Sequence, residues 1–156
     1  MPRKVRPTRE LTPAEYQALG AFRHQIRLFL HFSEQAAKAE DLEPQQHQML
    51  LAIRACGGPF APTVGTLAEN LLIRHHSAVG LLDRLAEQGL VERVKSLVDG
   101  RQVSVSLTPK GETKLRRLSG AHREELRRAG PVLVAALASL LRQGERHKAP
   151  GAAERD

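Results

Sequence analysis

Gly89-Leu90-Val91-Glu92-Arg93-Val94-Lys95, followed after three residues by Asp99-Gly100-Arg101-Gln102-Val103-Ser104-Val105-Ser106-Leu107-Thr108-Pro109, decides the fold of this chain. Val103, Val105 and Leu107 alternate with Gln102, Ser104 and Ser106, the period of a half-buried strand. Leu90 to Lys95 supplies its partner, and Asp99-Gly100 has the turn chemistry of a hairpin tip, with Arg101 projecting just beyond it. Thr108-Pro109 then restarts a helix, since the fixed φ of Pro suits a first helical position. Such a hairpin is a wing when two short helices precede it. Thr63 to Leu71 reads as one of them, and after Leu72 to His76 another runs from about Ser77 to Gln88, closed by Gly89. A pair of short helices with a tight link suggests a helix-turn-helix. In the second, Ala78, Leu81, Leu82 and Leu85 form the inward stripe, which leaves His75, His76, Val79, Gly80 and Asp83 facing outward. The expected fold is therefore mostly α, a winged helix-turn-helix with a two-stranded wing.

Outward from this centre, both flanks are helical. Leu11-Thr12-Pro13-Ala14-Glu15-Tyr16 has a capping Thr, a Pro for the first turn and a Glu that completes a capping box, with Leu11 and Tyr16 spaced as a hydrophobic staple. Apolar residues then recur at Leu19, Phe22, Ile26, Phe29 and Leu30 and continue through Ala36 and Ala37, one long helix. A second helix begins near Glu43-Pro44, carries Met49, Leu50, Ile53 and Cys56 on one side, and should end at Gly57-Gly58. Downstream of the wing, Leu115, Leu118, His122 and Leu126 mark another helix, which Gly130-Pro131 is expected to break. The last helix, Val132 to Leu141, is apolar nearly all round and calls for a partner surface. The organisation expected is a basic flexible arm at 1–10, an N-terminal dimerisation helix at 11–42, a winged helix-turn-helix at 43–111, C-terminal dimerisation helices at 112–143 and a disordered tail at 144–156.

The 156 residues are one domain's length, and 41% hydrophobic with 26% charged residues is an ordinary globular balance. Val132 to Leu141 is well short of the roughly 18 to 20 apolar residues of a membrane span, and no signal-peptide h-region follows the basic N-terminus, so a cytoplasmic protein without membrane contact is expected. The single cysteine excludes an intrachain disulfide and a Cys-rich zinc site. The net charge of +7 favours a polyanion partner. Its distribution is uneven: residues 1–10 hold four basic and one acidic residue and residues 110–128 seven and three, whereas 74–101 hold five and four. The near-neutral reader keeps a second reading open, a winged helix used as a protein-protein adaptor.

Leu67-Ala68 through Asp83-Arg84-Leu85 to Gly89-Leu90-Val91, followed by Asp99-Gly100-Arg101 and Leu107-Thr108-Pro109-Lys110-Gly111, resembles the MarR family, the multiple-antibiotic-resistance type of winged-helix repressor. The order of helices matches over roughly residues 11–143. The resemblance implies a homodimer whose recognition helices enter successive major grooves of an inverted-repeat operator, whose wings reach the minor groove, and whose DNA affinity a small ligand lowers. It implies a transcriptional regulator acting as a repressor. Gly80 departs from the pattern, standing where a longer polar side chain is usual.

The expected DNA-binding residues are Arg74, His75, His76, Ser77, Val79, Gly80, Arg84, Asp99 and Arg101. Imidazole and hydroxyl groups donate to base edges and phosphates, and arginine is drawn into the negative potential of a narrow minor groove. Without that placement, His75-His76-Ser77 would be an ordinary polar helix start, Arg101 a solvated turn residue and Arg84 a salt-bridge partner. Tyr16, Phe22, His24 and Phe29 on the first helix are the candidate ligand-binding residues, and the expected ligand is a small organic anion. Cys56 shares the stripe of Met49 and Ile53 and is expected to be a small buried core residue, not a peroxide sensor. No nucleophile-base pair, phosphate loop or metal-ligand spacing stands out, so the chain is expected to be no enzyme and to take no metal or cofactor.

Overall fold

Three helices in this chain, those ending at Ala39, Asn70 and Glu87, stop where the backbone turns left-handed. In the computed structural model, which describes residues 10–56, 61–95 and 103–145, the order is α1 (Pro13–Ala39), α2 (Pro44–Ala55), α3 (Val64–Asn70), α4 (His75–Glu87), β1 (Val91–Lys95), β2 (Val103–Leu107) and α5 (Pro109–Glu145). The expected arm at 1–10 (apart from Glu10), the Gly57-Gly58 stop, the wing tip Asp99-Gly100-Arg101 and the tail beyond Glu145 lie outside the described residues. At the start of α1 the Thr12 backbone N–H donates to Glu15 Oε2 at 2.7 Å and the Glu15 N–H to Thr12 Oγ1 at 3.2 Å, the reciprocal capping box. Thr63 caps α3 by accepting the Thr66 N–H at 3.2 Å.

The left-handed stops share one design. Asp41 (φ 56°), Leu72 (φ 54°) and Gly89 (φ 69°) each follow a helix, and the next N–H reaches back to a carbonyl five residues earlier: Leu42 to Ala37, Ile73 to Ala68, Leu90 to Leu85. This is the Schellman closure, a position that suits Gly and strains a residue with a Cβ. The link of the helix-turn-helix therefore turns on a leucine.

The chain divides into two compact units, Phe32–Glu124 and the pair of segments Met1–His31 and Glu125–Asp156. The first contains the core: Met49, Leu50, Leu67, Leu82, Leu85, Leu90, Val105 and Leu118 are its largest fully buried side chains, each worth about 1.5 to 3 kcal/mol on burial. The hairpin is antiparallel, with Val91 opposite Leu107 and Lys95 opposite Val103. In the second unit Glu15 and Ala18 are buried, but Leu11, Tyr16, Leu19, Leu28, Leu30, Leu126, Val132, Val134, Leu137 and Leu141 are exposed.

Three expectations need correcting. Gly130-Pro131 does not break the C-terminal helix: α5 runs through it and on through Gly144 and Glu145. The φ of Pro is itself helical, so Pro131 costs one hydrogen bond and crowds a carbonyl one turn back, while Ala, Leu and Arg on both sides favour continuation. The strand alternation also fails at its start. Ser104 is buried and Val103 is 42% exposed, because the segment before α3 lies along the free edge of β2, with Thr63 bridging Ser104 and the Val105 N–H donating to Pro62 O at 2.9 Å. Cys56 is only half-buried, since it forms the C-cap of α2 at the margin of the core, where Asn70 Nδ2 donates to its Sγ at 2.9 Å.

Candidate nucleic-acid interface

The amphipathic pattern of α4 determines what the helix can offer. Ala78, Leu81, Leu82 and Leu85 are buried, and this anchorage leaves Arg74, His75, His76, Ser77 and Arg84 exposed, with Val79, Gly80 and Asp83 half-buried. The helix starts at His75, two residues before the sequence suggests, so both histidines belong to its first turn. Its N-cap is Arg74, whose side chain makes no cap hydrogen bond and has no acceptor to give one. The first-turn N–H groups of α4 thus lack a side-chain cap, and the positive end of the helix dipole lies among Arg74, His75 and His76. Such an end suits a phosphate oxygen.

Beside it lies a groove of about 430 Å³ lined by Thr63, Val64 and Gly65 from the start of α3, His75 and Val79 from α4, and Arg93 and Val103 from the hairpin. His75 and Val79 are one helical turn apart and so share a face. Arg93 Nη2 meets Asp83 Oδ1 at 2.7 Å, tying β1 to α4 across the surface. Asp83 is thus engaged with the wing. Gly80 has a local role as well: a Cβ built on it would lie 3.8 Å from Arg84 Nη1, so the guanidinium folds back along the helix over the space that a longer side chain would fill.

Arg74, His75, His76, Ser77, Val79, Gly80 and Arg84 are thus gathered along one helix, whereas Asp99 and Arg101 lie outside the described residues. Thr63, Val64, Gly65, Arg93 and Val103 were not legible as parts of this face, although an outward Arg on a wing strand is a usable signal. The four ligand candidates all lie on α1, Tyr16 and His24 exposed, Phe22 and Phe29 half-buried. They line neither this groove nor a second cavity of about 260 Å³ between the start of α2 and the turn at Leu71 to Ile73. Among the described residues no helix is long and apolar enough to cross a membrane, and no group of three His, Cys, Asp or Glu could hold a metal ion.

Comparison with known proteins fits this geometry. Residues 40–102 match the model of the MarR family. The HTH-type transcriptional regulator PecS of Dickeya dadantii is 28% identical over 86 residues, 55% of this chain and 52% of that one. The chain spans about half the length of the curated relatives it matches. Among solved structures, wild-type MarR of E. coli in its apo form is 25% identical, with a TM-score of 0.61 over 86% of this chain and 98% of that one. A MepR mutant of S. aureus bound to an oligodeoxyribonucleotide is 20% identical, with a TM-score of 0.62 over 85% and 97% of the two chains. The latter similarity concerns the fold alone.

Proposed function

We propose that the chain, whose residues 40–102 match the MarR family model, is a member of that family and a cytoplasmic transcriptional regulator that binds duplex DNA as a homodimer. The observation that carries this reading is the exposed start of α4, where Arg74, His75, His76 and Ser77 surround a helix end without a side-chain cap, beside a groove bounded by the hairpin. The similarity to PecS, an HTH-type transcriptional regulator, supports the same direction. Exposed apolar side chains of the second unit, among them Tyr16, Leu30, Val134 and Leu141, provide the surface for a second copy.

In this reading the recognition helices α4 of the dimer enter successive major grooves of an inverted repeat with half-site centres about 10 base pairs apart. His75, His76 and Ser77 reach base edges, with Val79 and Gly80 against them. Arg84 meets phosphate, and Arg101, held by Asp99, enters the flanking minor groove. The regulator represses until a small organic anion bound near Tyr16, Phe22, His24 and Phe29 releases it. The test is titration of mixed-sequence duplex DNA across salt concentrations. Phosphate contacts require a steep fall of affinity with salt, and Arg101→Ala should flatten that slope by about 1 per wing. His76→Ala should relax base discrimination at an operator by about 1 to 3 kcal/mol. Absence of salt-dependent binding would overturn the reading in favour of a protein-protein adaptor.

A further inference from the structure

α2 buries a histidine in its apolar side. His47 is 3% exposed, in the same helix as the fully buried Met49 and Leu50, and a second imidazole lies against it. That imidazole is His122 of α5, its ring centre 4.7 Å away and its plane tilted by 43°. His122 is well supported. Its Nδ1 donates to Leu118 O at 2.7 Å, its Nε2 pairs with the Ser33 hydroxyl at 2.9 Å, and Phe32 packs edge-on against it at 5.5 Å. His47 is not so supported: nothing among the described residues hydrogen-bonds its buried Nδ1. The pair thus joins α1, α2 and α5 within one compact unit, and the helix holding its weaker member packs directly on α3 and α4.

We infer that the His47–His122 pair is a proton-sensing junction, in which protonation of His47 loosens the packing of α2 against α1 and α5 and so weakens the DNA binding proposed above. The physical reason is that a neutral imidazole tolerates an unpaired nitrogen in an apolar site far better than an imidazolium tolerates an unpaired N–H. A proton on His47 also faces His122 at stacking distance, so His122 offers it no counter-charge. Among the described residues no carboxylate pairs with its Nδ1, and Glu43, one turn before it at the N-cap of α2, is exposed and engaged in the capping box. α1 presents Ser33 and Phe32 to the pair, neither of them acidic. Glu40 is taken up by Arg117 at 3.6 Å, Arg54 pairs with Glu112 at 3.7 Å, and Glu34 is exposed. Burial, and then the field of His122, accordingly hold the His47 imidazole down at about 4. The closed junction therefore excludes a proton that an opened junction accepts at the ordinary histidine value of about 6.5.

This proposal rests on the DNA-binding reading for its output, whereas the junction can be tested without DNA. In the wild-type protein the His47 ring resonances should titrate well below the ordinary range. Amide exchange of the closing contacts of α2 should show an opening constant that rises about 10-fold from about pH 7.5 to about pH 5.5, beyond the base-catalysed change in intrinsic exchange. His47→Leu removes both the unpaired nitrogen and the titration, and should remove that rise. If the Leu variant fails to fold, His47→Gln serves in its place. Affinity for mixed-sequence duplex DNA over the same range, wild type against variant, reports the output, with His75 and His76 retained in both so that their own effects cancel. Acid-dependent weakening present in the wild type and absent in the variant supports the switch. An ordinary His47 titration, or equal pH dependence of opening in the two proteins, overturns it. Absence of DNA binding by either protein at any pH overturns the functional reading and the output of the switch, while ring titration and exchange still decide the junction itself.

Discussion

Adding one methyl group at Gly111 should damage this protein more than most deletions on its surface. An ideal Cβ there would lie 2.0 Å from Leu90 O, 3.0 Å from Leu90 C and 3.4 Å from its Cα. All three are backbone atoms, so no side chain can rotate away. Restoring ordinary contact requires about 1.4 Å of separation between the first turn of α5 and the residue after Gly89, judged against the 3.4 Å at which contact becomes ordinary. The same interval is closed by hydrogen bonds: Thr108 N–H to Leu90 O at 3.1 Å, the Thr108 hydroxyl to Gly89 O at 2.6 Å, and Lys110 Nζ to Gln88 O at 2.7 Å. A shift of that size breaks the first of these, at about 1 to 3 kcal/mol for a group left unpaired, with overpacking of similar size. The better helix propensity of Ala returns about 1 kcal/mol. Gly111→Ala should therefore lose about 1 to 5 kcal/mol net, roughly 5-fold to several thousand-fold in the folding constant. Urea unfolding followed by far-UV circular dichroism measures it as a lower midpoint at unchanged slope. The control lies in the same helix. Gly120 has nothing within 4 Å of its ideal Cβ, so Gly120→Ala should gain stability by up to about 1 kcal/mol. A Gly111→Ala midpoint at or above that of the wild type would refute the reasoning.

Leu72 holds a left-handed φ of 54° and is 93% exposed, so Leu72→Gly relieves strain while giving up almost no burial, and should raise stability by about 1 kcal/mol in the same urea assay. Asp83 and Arg93 are 49% and 39% exposed, so a double-mutant cycle with Asp83→Ala and Arg93→Ala should find a coupling below about 1 kcal/mol, measured as unfolding midpoints. The contribution of the pair lies in orienting the hairpin, and each single variant should weaken DNA binding by more than it lowers stability. His47 sits at about 4 in the folded protein against 6.5 for the free side chain. The unfolded chain therefore takes up the extra proton, and stability should fall as pH drops from about 6.5 to about 4 and be insensitive to this group above that window. The loss is at most about 3 kcal/mol, and acid-dependent thermal unfolding of the wild type against His47→Leu isolates it.

The sequence by itself determined the parts of this protein whose causes lie within one or two turns of chain. The Thr12–Glu15 box, the buried stripe of α4 and the stop at Gly89 each depend on residues a few positions apart, and each is present in the structure. The order of elements, and with it the winged helix and the exposed face of α4, followed from those local signals. Only the tertiary structure decided what depends on which surfaces meet. Ser104 looked outward until Thr63 and Pro62 covered the far edge of its strand. Gly111 looked like one more helical glycine until Leu90 O came to lie where its side chain would be. Gly80 looked like a missing contact until Arg84 folded over it, and Asp83 like a free carboxylate until Arg93 reached it. His122 and Ser33 stand 89 residues apart, a distance at which no periodicity or capping rule operates. Hydrogen-bond and rotamer preferences act over a few residues and are written in the order of the amino acids, whereas burial, close approach and the proton affinity of an imidazole are properties of neighbours that only folding brings together.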